Sequence, residues 1–304
     1  MCNTKKSAFV AIVGRPSAGK STLLNALCGG KAAIVSPVPQ TTRNSIRGIV
    51  NREQGQLVFV DTPGIHISER KLNIRLKAVA ERTLGDSDLI VYVLDAARAP
   101  HEEEEAIAER LASLPEKTLS EKTVALVNKM DKAQADYAAI ETFLHEKLPA
   151  LPSDRIFAVS ANKKTGLESV LDCLYALAPE GPPYYDAEFY TDQDVRFRIT
   201  EIIREKCLLF LKKELPHCIR VDIENMSLEN EEGKEILSVM AVIRTERDSQ
   251  KGIVVGKGGA MVRKIRLAAL EDLKELFDWE MALEIWVKTD KDWRHNDKIL
   301  RRLV

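Results

Sequence analysis

Along the first half of the chain, short continuous apolar runs alternate with segments of helical spacing. Residues 9–13, 89–94, 123–127 and 156–159 are runs of the kind that form strands buried on both faces. Between them, residues 22–28, 72–84, 137–147 and 167–177 carry apolar positions three and four apart, as at Leu72, Leu76, Val79 and Leu84. Glu102 to Glu105 open a further helix, where negative charge suits the positive end of the helix dipole. Residues 45–50 and 56–60 read as a hairpin turning at 51–55. Residues 31–44, rich in Pro, Ser and Thr, fit neither period and are expected to be mobile. Alternating strands and helices predict an α/β, doubly wound sheet with ligands at the carboxyl ends of its strands.

The pattern changes after residue 178. Pro179, Gly181, Pro182 and Pro183 stop the preceding helix and favour extended backbone. A helix over 195–211 follows, then strands over 219–223 and 236–243 around an acidic turn. An apolar lead-in at 253–255, a helix over 261–277, a strand over 282–287 and a short final helix near 299–303 complete the chain. The expected organisation is a domain over 1–178, a linker over 179–190 and a second domain over 191–304.

Three motifs sit where the first sheet would present its ligand. Gly14, Arg15, Pro16, Ser17, Ala18, Gly19, Lys20 and Ser21 fit G-x-x-x-x-G-K-[ST] between a predicted strand and the helix that begins near Thr22. Its glycines let backbone wrap a phosphate, the helix start offers free N–H groups, Lys20 adds charge and Ser21 offers a hydroxyl to Mg²⁺. Asp61 ends a strand and begins Asp61-Thr62-Pro63-Gly64, where a carboxylate would hold Mg²⁺. Asn128-Lys129-Met130-Asp131 ends another strand, and a carboxylate at Asp131 can accept two parallel hydrogen bonds from guanine, a donor pair adenine lacks. Lys129 can lay its stem along the base, and a backbone N–H at Ser160-Ala161 can reach the guanine carbonyl.

In the second half Gly256-Lys257-Gly258-Gly259 is a G-x-x-G loop whose backbone can approach nucleic-acid phosphates. Every ionisable side chain between residues 251 and 266 is basic (Lys251, Lys257, Arg263, Lys264, Arg266), whereas residues 222–235 are mostly acidic. A basic stripe beside a glycine loop is an electrostatic footprint of phosphate-backbone binding. The formal net charge of −1 conceals it and argues only against a generally basic nucleic-acid binder. A chain of 304 residues with 45% hydrophobic composition can bury about two cores. Its five cysteines are scattered with no C-x-x-C spacing, which fits a reducing cytosol and suggests neither disulfides nor a zinc site. No run approaches the length of a membrane span, so a soluble, intracellular protein is expected.

With these motifs assembled, residues 8–178 resemble the translation-factor-like class of Ras-fold GTPases. The resemblance implies a six-stranded, mostly parallel sheet with helices on both faces, GTP as substrate, GDP as product and Mg²⁺ as cofactor. It makes Thr42, within Pro39-Gln40-Thr41-Thr42-Arg43, the switch threonine that joins Ser21 and Asp61 on Mg²⁺. Gly64 would donate its N–H to the γ-phosphate, and Lys20, Thr42, Asp61 and Gly64 form the implied hydrolytic set. Ile65 occupies the place where a Ras-type enzyme has glutamine, so slow basal turnover is expected. Many relatives use a K⁺ ion held by an asparagine of the phosphate loop; here that position is Ser17, a shorter-reaching ligand, which counts against K⁺ activation.

The order helix, strand, strand, helix, G-x-x-G, helix, strand resembles an α+β type II KH domain. A Ras-fold GTPase joined to one by a short linker resembles the Era family, over essentially the whole chain. Ser17 and Ala18 depart from the asparagine and valine usual there. The resemblance implies a bacterial, cytoplasmic, monomeric GTPase that binds small-subunit ribosomal RNA near its 3′ end, assists assembly of the small ribosomal subunit and associates peripherally with the inner membrane. Triphosphate would order residues 31–44 and the region after Asp61, changing the posture of the second domain. Two alternatives stay open from the residues: a non-catalytic guanine-nucleotide-dependent protein scaffold, and an ATP-using RNA-binding enzyme.

Overall fold

β1 (Lys6–Val13) runs up the centre of the first sheet and delivers the chain into a turn that feeds α1 (Lys20–Cys28). The computed structural model describes residues 5–38, 41–62, 81–231, 234–291 and 293. Pro39, Gln40, Pro63, Gly64 and Ile65, most of the predicted 72–84 helix and the predicted 299–303 helix lie outside the described residues.

β2 (Ile46–Arg52) and β3 (Gly55–Asp61) form the predicted hairpin, and β3 pairs parallel with β1. β4 (Leu89–Asp95), α2 (Glu102–Ala112), α3 (Glu116–Lys122), β5 (Thr123–Asn128), α4 (Tyr137–Lys147), β6 (Ile156–Ala158) and α5 (Leu167–Leu177) follow. The strand order is β2-β3-β1-β4-β5-β6, parallel except for β2 against β3. β3, β4 and β5 are buried along their whole length, which is why β4 and β5 read as continuous apolar runs. Ile107, Ala108 and Leu111 of α2 join Ile140, Phe143 and Leu144 of α4 against Tyr92, Leu94, Ala125 and Val127. α1 packs on β2 and β3, and α5 sets the Tyr175 hydroxyl to donate to the Val50 carbonyl at 2.9 Å. α3 has only Leu119 buried, too little apolar signal to be predicted.

Residues 179–192 follow the edge of this sheet. Ser7 N–H donates to the Pro179 carbonyl, Gln56 Oε1 accepts from Tyr184 and Tyr185 N–H, and Thr191 Oγ1 donates to the Arg47 carbonyl. By its internal contacts the chain divides into two compact units, Met1–Ala33 with Thr42–Asp192, and Ile34–Thr41 with Gln193–Leu303.

In the second unit, α6 (Val195–Phe210) precedes the antiparallel pair β7 (Ile219–Glu231) and β8 (Lys234–Thr245). α7 (Asp248–Val255), the glycine loop, α8 (Ala260–Leu276) and β9 (Glu280–Thr289) complete it, with β9 parallel to β8. Ile199, Ile202 and Ile203 of α6 and Ile265, Ala269 and Leu273 of α8 cover one face of this three-stranded sheet. Two predictions are corrected. β7 continues to Glu231, with a bulge between Ile223 and Asn225, because one face of the sheet is open to solvent and can carry the acidic residues that read as a turn. Residues 253–255, read as an apolar lead-in, are the last turn of α7.

Candidate nucleotide and nucleic-acid sites

β1, β3, β4 and β5 end at one edge of the first sheet, where the strand order reverses on the two sides of β1, the place where an open α/β sheet presents its ligand. The loop from Gly14 to Gly19 lies there. Gly19 has a left-handed backbone (φ 99°) and begins α1 with neither a side-chain cap nor an acidic residue in its first turn. A Cβ at Gly19 would stand 2.4 Å from Asn128 Nδ2, so glycine is required for the loop to close on β5. The helix start therefore presents backbone N–H groups suited to an anion. Lys20 is buried and donates to the carbonyls of Gly14 and Arg15, both at 2.9 Å. Burial brings its ammonium down to about 8, with Asp61 acting in the opposite direction.

Ser21, Thr42 and Asp61, far apart in sequence, meet at one point. Ser21 Oγ donates to Asp61 Oδ2 at 2.6 Å, Thr42 Oγ1 donates to the same oxygen at 3.1 Å, and the two hydroxyls are 2.9 Å apart. Asp61 is fully buried, and its other oxygen, Oδ1, has no hydrogen-bond partner. Burial pushes its carboxyl up, against the opposing pull of Lys20 and the two hydroxyls. An orphaned carboxylate oxygen costs free energy unless something compensates it. A hard cation with oxygen ligands is what this donor set fits.

At the end of β5, Asn128 Nδ2 donates to the Ala18 carbonyl at 2.9 Å and its Oδ1 accepts the Ala161 N–H at 3.0 Å. The residue thus ties the phosphate loop to the Ser160-Ala161 turn. Lys129 Nζ donates to the Ser17 carbonyl at 2.7 Å. Asp131 is exposed and accepts from Ser160 Oγ at 2.6 Å, which holds its carboxyl below the usual range. Gly14, Arg15, Pro16, Ser17, Ala18, Gly19, Lys20, Ser21 and Thr22 are thereby brought beside Asn128, Lys129, Asp131, Ser160 and Ala161. Gly64 lies outside the described residues. The sequence pattern does not single out Asp95 or Glu104, which surround Arg15: Asp95 follows the apolar run 89–94, and Glu104 lies within the acidic helix start Glu102 to Glu105. A charged residue closing a fully buried strand, as Asp61 does, was the available signal.

In the second unit, Gly256, Gly258 and Gly259 all have left-handed backbone (φ 73°, 60° and 79°), and the space around Gly258 is open. The loop joins α7 to α8, and Lys251, Lys257, Arg263 and Lys264 are exposed around it. Lys264 Nζ lies 4.3 Å over the Phe210 ring, and the partly buried Arg266 donates to the Leu283 carbonyl at 3.4 Å, so these two cations are partly engaged within the fold. This is an open glycine turn rimmed by positive charge, able to meet a phosphate backbone. Among the described residues no helix is long and apolar enough to cross a membrane.

Known proteins fit this description. Residues 9–129 match the family described as 50S ribosome-binding GTPase, and residues 214–294 match the KH domain. GTPase Era of Treponema denticola is 43% identical over 98% of this chain and 99% of its own length. GTPase Era of Borreliella burgdorferi is 42% identical over 98% of this chain and 99% of its own. Among solved structures, an Aquifex aeolicus Era variant bound to GDP.AlF4- superposes with a TM-score of 0.90 at 31% identity, covering 98% of each chain. Era in complex with MgGDPNP and nucleotides 1506–1542 of 16S ribosomal RNA superposes with a TM-score of 0.90 at 30% identity, again covering 98% of each chain. With a six-stranded GTPase sheet, a KH unit and relatives of this identity over nearly their full length, the chain belongs to the Era family of GTPases.

Proposed function

We propose that this chain is a GTP-hydrolysing switch that binds small-subunit ribosomal RNA near its 3′ end and assists assembly of the small ribosomal subunit. The observation that carries the reading is the convergence of Ser21, Thr42 and Asp61, with one buried carboxylate oxygen left unpartnered. Ser21, Thr42 and Asp61 would hold Mg²⁺, directly or through water. That ion, when bound, neutralises charge on the β- and γ-phosphates. Gly14 to Thr22 cradle the phosphates with backbone N–H groups, and Lys20, now turned onto two loop carbonyls, is freed to pair with them. Asp131 reads the guanine N–H groups, with Ser160 holding its carboxylate ready, while Asn128 locks the two loops together. Thr42 belongs to the segment that senses the γ-phosphate, and Gly64 completes the hydrolytic set. The Ser17 hydroxyl reaches less far than an asparagine carbonyl, which counts against K⁺ activation of hydrolysis.

Lys251, Gly256, Lys257, Gly258, Gly259, Arg263, Lys264 and Arg266 form the RNA-binding surface. A relative similar over nearly its whole length, in complex with a 16S ribosomal RNA fragment, supports RNA binding by this chain, and the open glycine turn with its rim of positive charge supports this surface. The domain organisation we adopt is a GTPase domain over 1–178, a linker over 179–190 and a type II KH domain over 191–304. The family resemblance implies a cytoplasmic monomer with peripheral attachment to the inner membrane. Crosslinking followed by sequencing of bound RNA, with GTP and with GDP, tests the whole reading. Enrichment of the 3′ end of the small-subunit RNA that depends on the nucleotide supports it. RNA recovered without preference in both states would oppose it.

A further inference from the structure

Behind the phosphate loop lies a buried ionic cluster that the hydrolytic chemistry does not use. Asp95, at the carboxyl end of β4, is 2% exposed, and Arg15 and Glu104 are 3% exposed. Asp95 Oδ2 accepts from Arg15 Nη2 at 2.9 Å and from Lys129 Nζ at 2.7 Å, while its Oδ1 accepts the Ala97 N–H at 3.0 Å. Arg15 pairs through Nε with Glu104 of α2. One carboxylate oxygen therefore holds a side chain from the phosphate loop and a side chain from the Asn128–Asp131 loop at once.

Buried ion pairs seldom stabilise a fold more than well-packed apolar residues would, so a cluster of this kind calls for another role. Backbone geometry indicates one. Ser17 and Lys129 both have left-handed backbone (φ 62° and 69°), a conformation that costs non-glycine residues free energy. Lys129 Nζ bridges them by donating to the Ser17 carbonyl at 2.7 Å. Arg15, for its part, presents the carbonyl that accepts from Lys20 at 2.9 Å. Asp95 fixes the second partner of Lys129 and the guanidinium of Arg15, so it sets the relative position of the loop that would meet the base and the loop that would meet the phosphates.

We infer that Asp95 is a positioning residue for guanine-nucleotide affinity, acting through Lys129 and Arg15 without touching the nucleotide. The inference rests on the nucleotide reading of the Gly14–Ser21 and Asn128–Asp131 loops. It separates Asp95 from Glu104, which contacts Arg15 within the same cluster and not Lys129. With chemistry slower than nucleotide release, KM follows dissociation.

The test compares full-length wild type, Asp95→Asn and Glu104→Gln by steady-state GTP hydrolysis and by the dissociation constant of a fluorescent GDP. Thermal melts without nucleotide control for stability. Asp95→Asn is expected to raise KM and the GDP dissociation constant about tenfold or more, the scale of a lost charge-assisted hydrogen bond, with kcat at saturation within about twofold. The two variants should lower the melting temperature to similar extents, yet Glu104→Gln should change KM less than about threefold. Should Asp95→Asn not fold, Asp95→Ser replaces it with a smaller group and the same expectation. Unchanged KM in a folded Asp95 variant, equal KM changes in the Asp95 and Glu104 variants, or failure of both Asp95 variants to fold would overturn the assignment. Wild type that fails to bind GDP would instead overturn the nucleotide reading itself.

Discussion

Asn128 donates its side-chain amide to the Ala18 carbonyl at 2.9 Å across a sequence separation of 110 residues. Its other amide atom accepts from Ala161, so a single buried side chain joins three loops that only the fold brings together. Replacing it by alanine orphans a buried carbonyl and a buried N–H. Asn128→Ala is expected to cost about 2–4 kcal/mol of stability and to weaken GDP by more than about tenfold, as read by thermal melts and equilibrium binding.

Asp131 carries the choice of base. Asp131→Asn should weaken GTP and favour xanthine nucleotide, because the amide offers a donor where the carboxylate accepted; nucleotide competition measures the exchange. The pH dependence follows from Ser160. Its hydroxyl lowers the Asp131 carboxyl, so guanine recognition is present above the ordinary aspartate range and is lost only as pH falls through the lowered value. In Ser160→Ala the carboxyl returns upward, and GDP affinity should begin to fall at a higher pH than in wild type. Superimposable pH profiles would show that Ser160 has no such effect.

The orphaned oxygen of Asp61 makes a metal prediction. Asp61→Asn keeps the shape and removes the charge that a divalent ion would meet. Turnover should fall by about a hundredfold and the remaining rate should respond less steeply to Mg²⁺ concentration. GTP hydrolysis measured across a Mg²⁺ titration, with chelator as the zero point, reads both effects.

Gly258 has left-handed backbone and open space around it, so an added side chain meets strain but no neighbour. Gly258→Asp should therefore cost only about 1–2 kcal/mol of stability. A carboxylate there faces the same phosphates as the exposed Lys257, and RNA affinity should fall by more than about tenfold while GDP affinity is unchanged. Parallel RNA and GDP titrations check the separation.

Much of this molecule can be read from residue pattern alone, and the failures have physical causes. β3, β4 and β5 are buried on every side, so their composition announces them. The outer half of β7, with exposed Glu224 and Glu229, takes its strand conformation from pairing with β8 and not from its own side chains, and so reads as a turn. α3 was missed because seven residues with one buried leucine carry no period. In the first unit, motif spacing named Ser21 and Asp61 and the family resemblance added Thr42, and the three side chains lie within 3.1 Å of one another. Spacing could not name Asp95: its partners Arg15 and Lys129 come from loops 114 residues apart, and only the parallel alignment of β4 with β1 on one side and β5 on the other brings them to one carboxylate.

In the proposed switch, RNA binding depends on which guanine nucleotide the chain holds, and this dependence has a direct readout. It is tested most directly by the dissociation constant of an RNA bearing the 3′ end of the small-subunit ribosomal RNA, measured with the full chain loaded with GDPNP and with GDP. Binding should be tighter with GDPNP by about fivefold to a hundredfold, the range of typical coupling free energies. Equal affinity in the two states, or no affinity for that RNA in either, would contradict it.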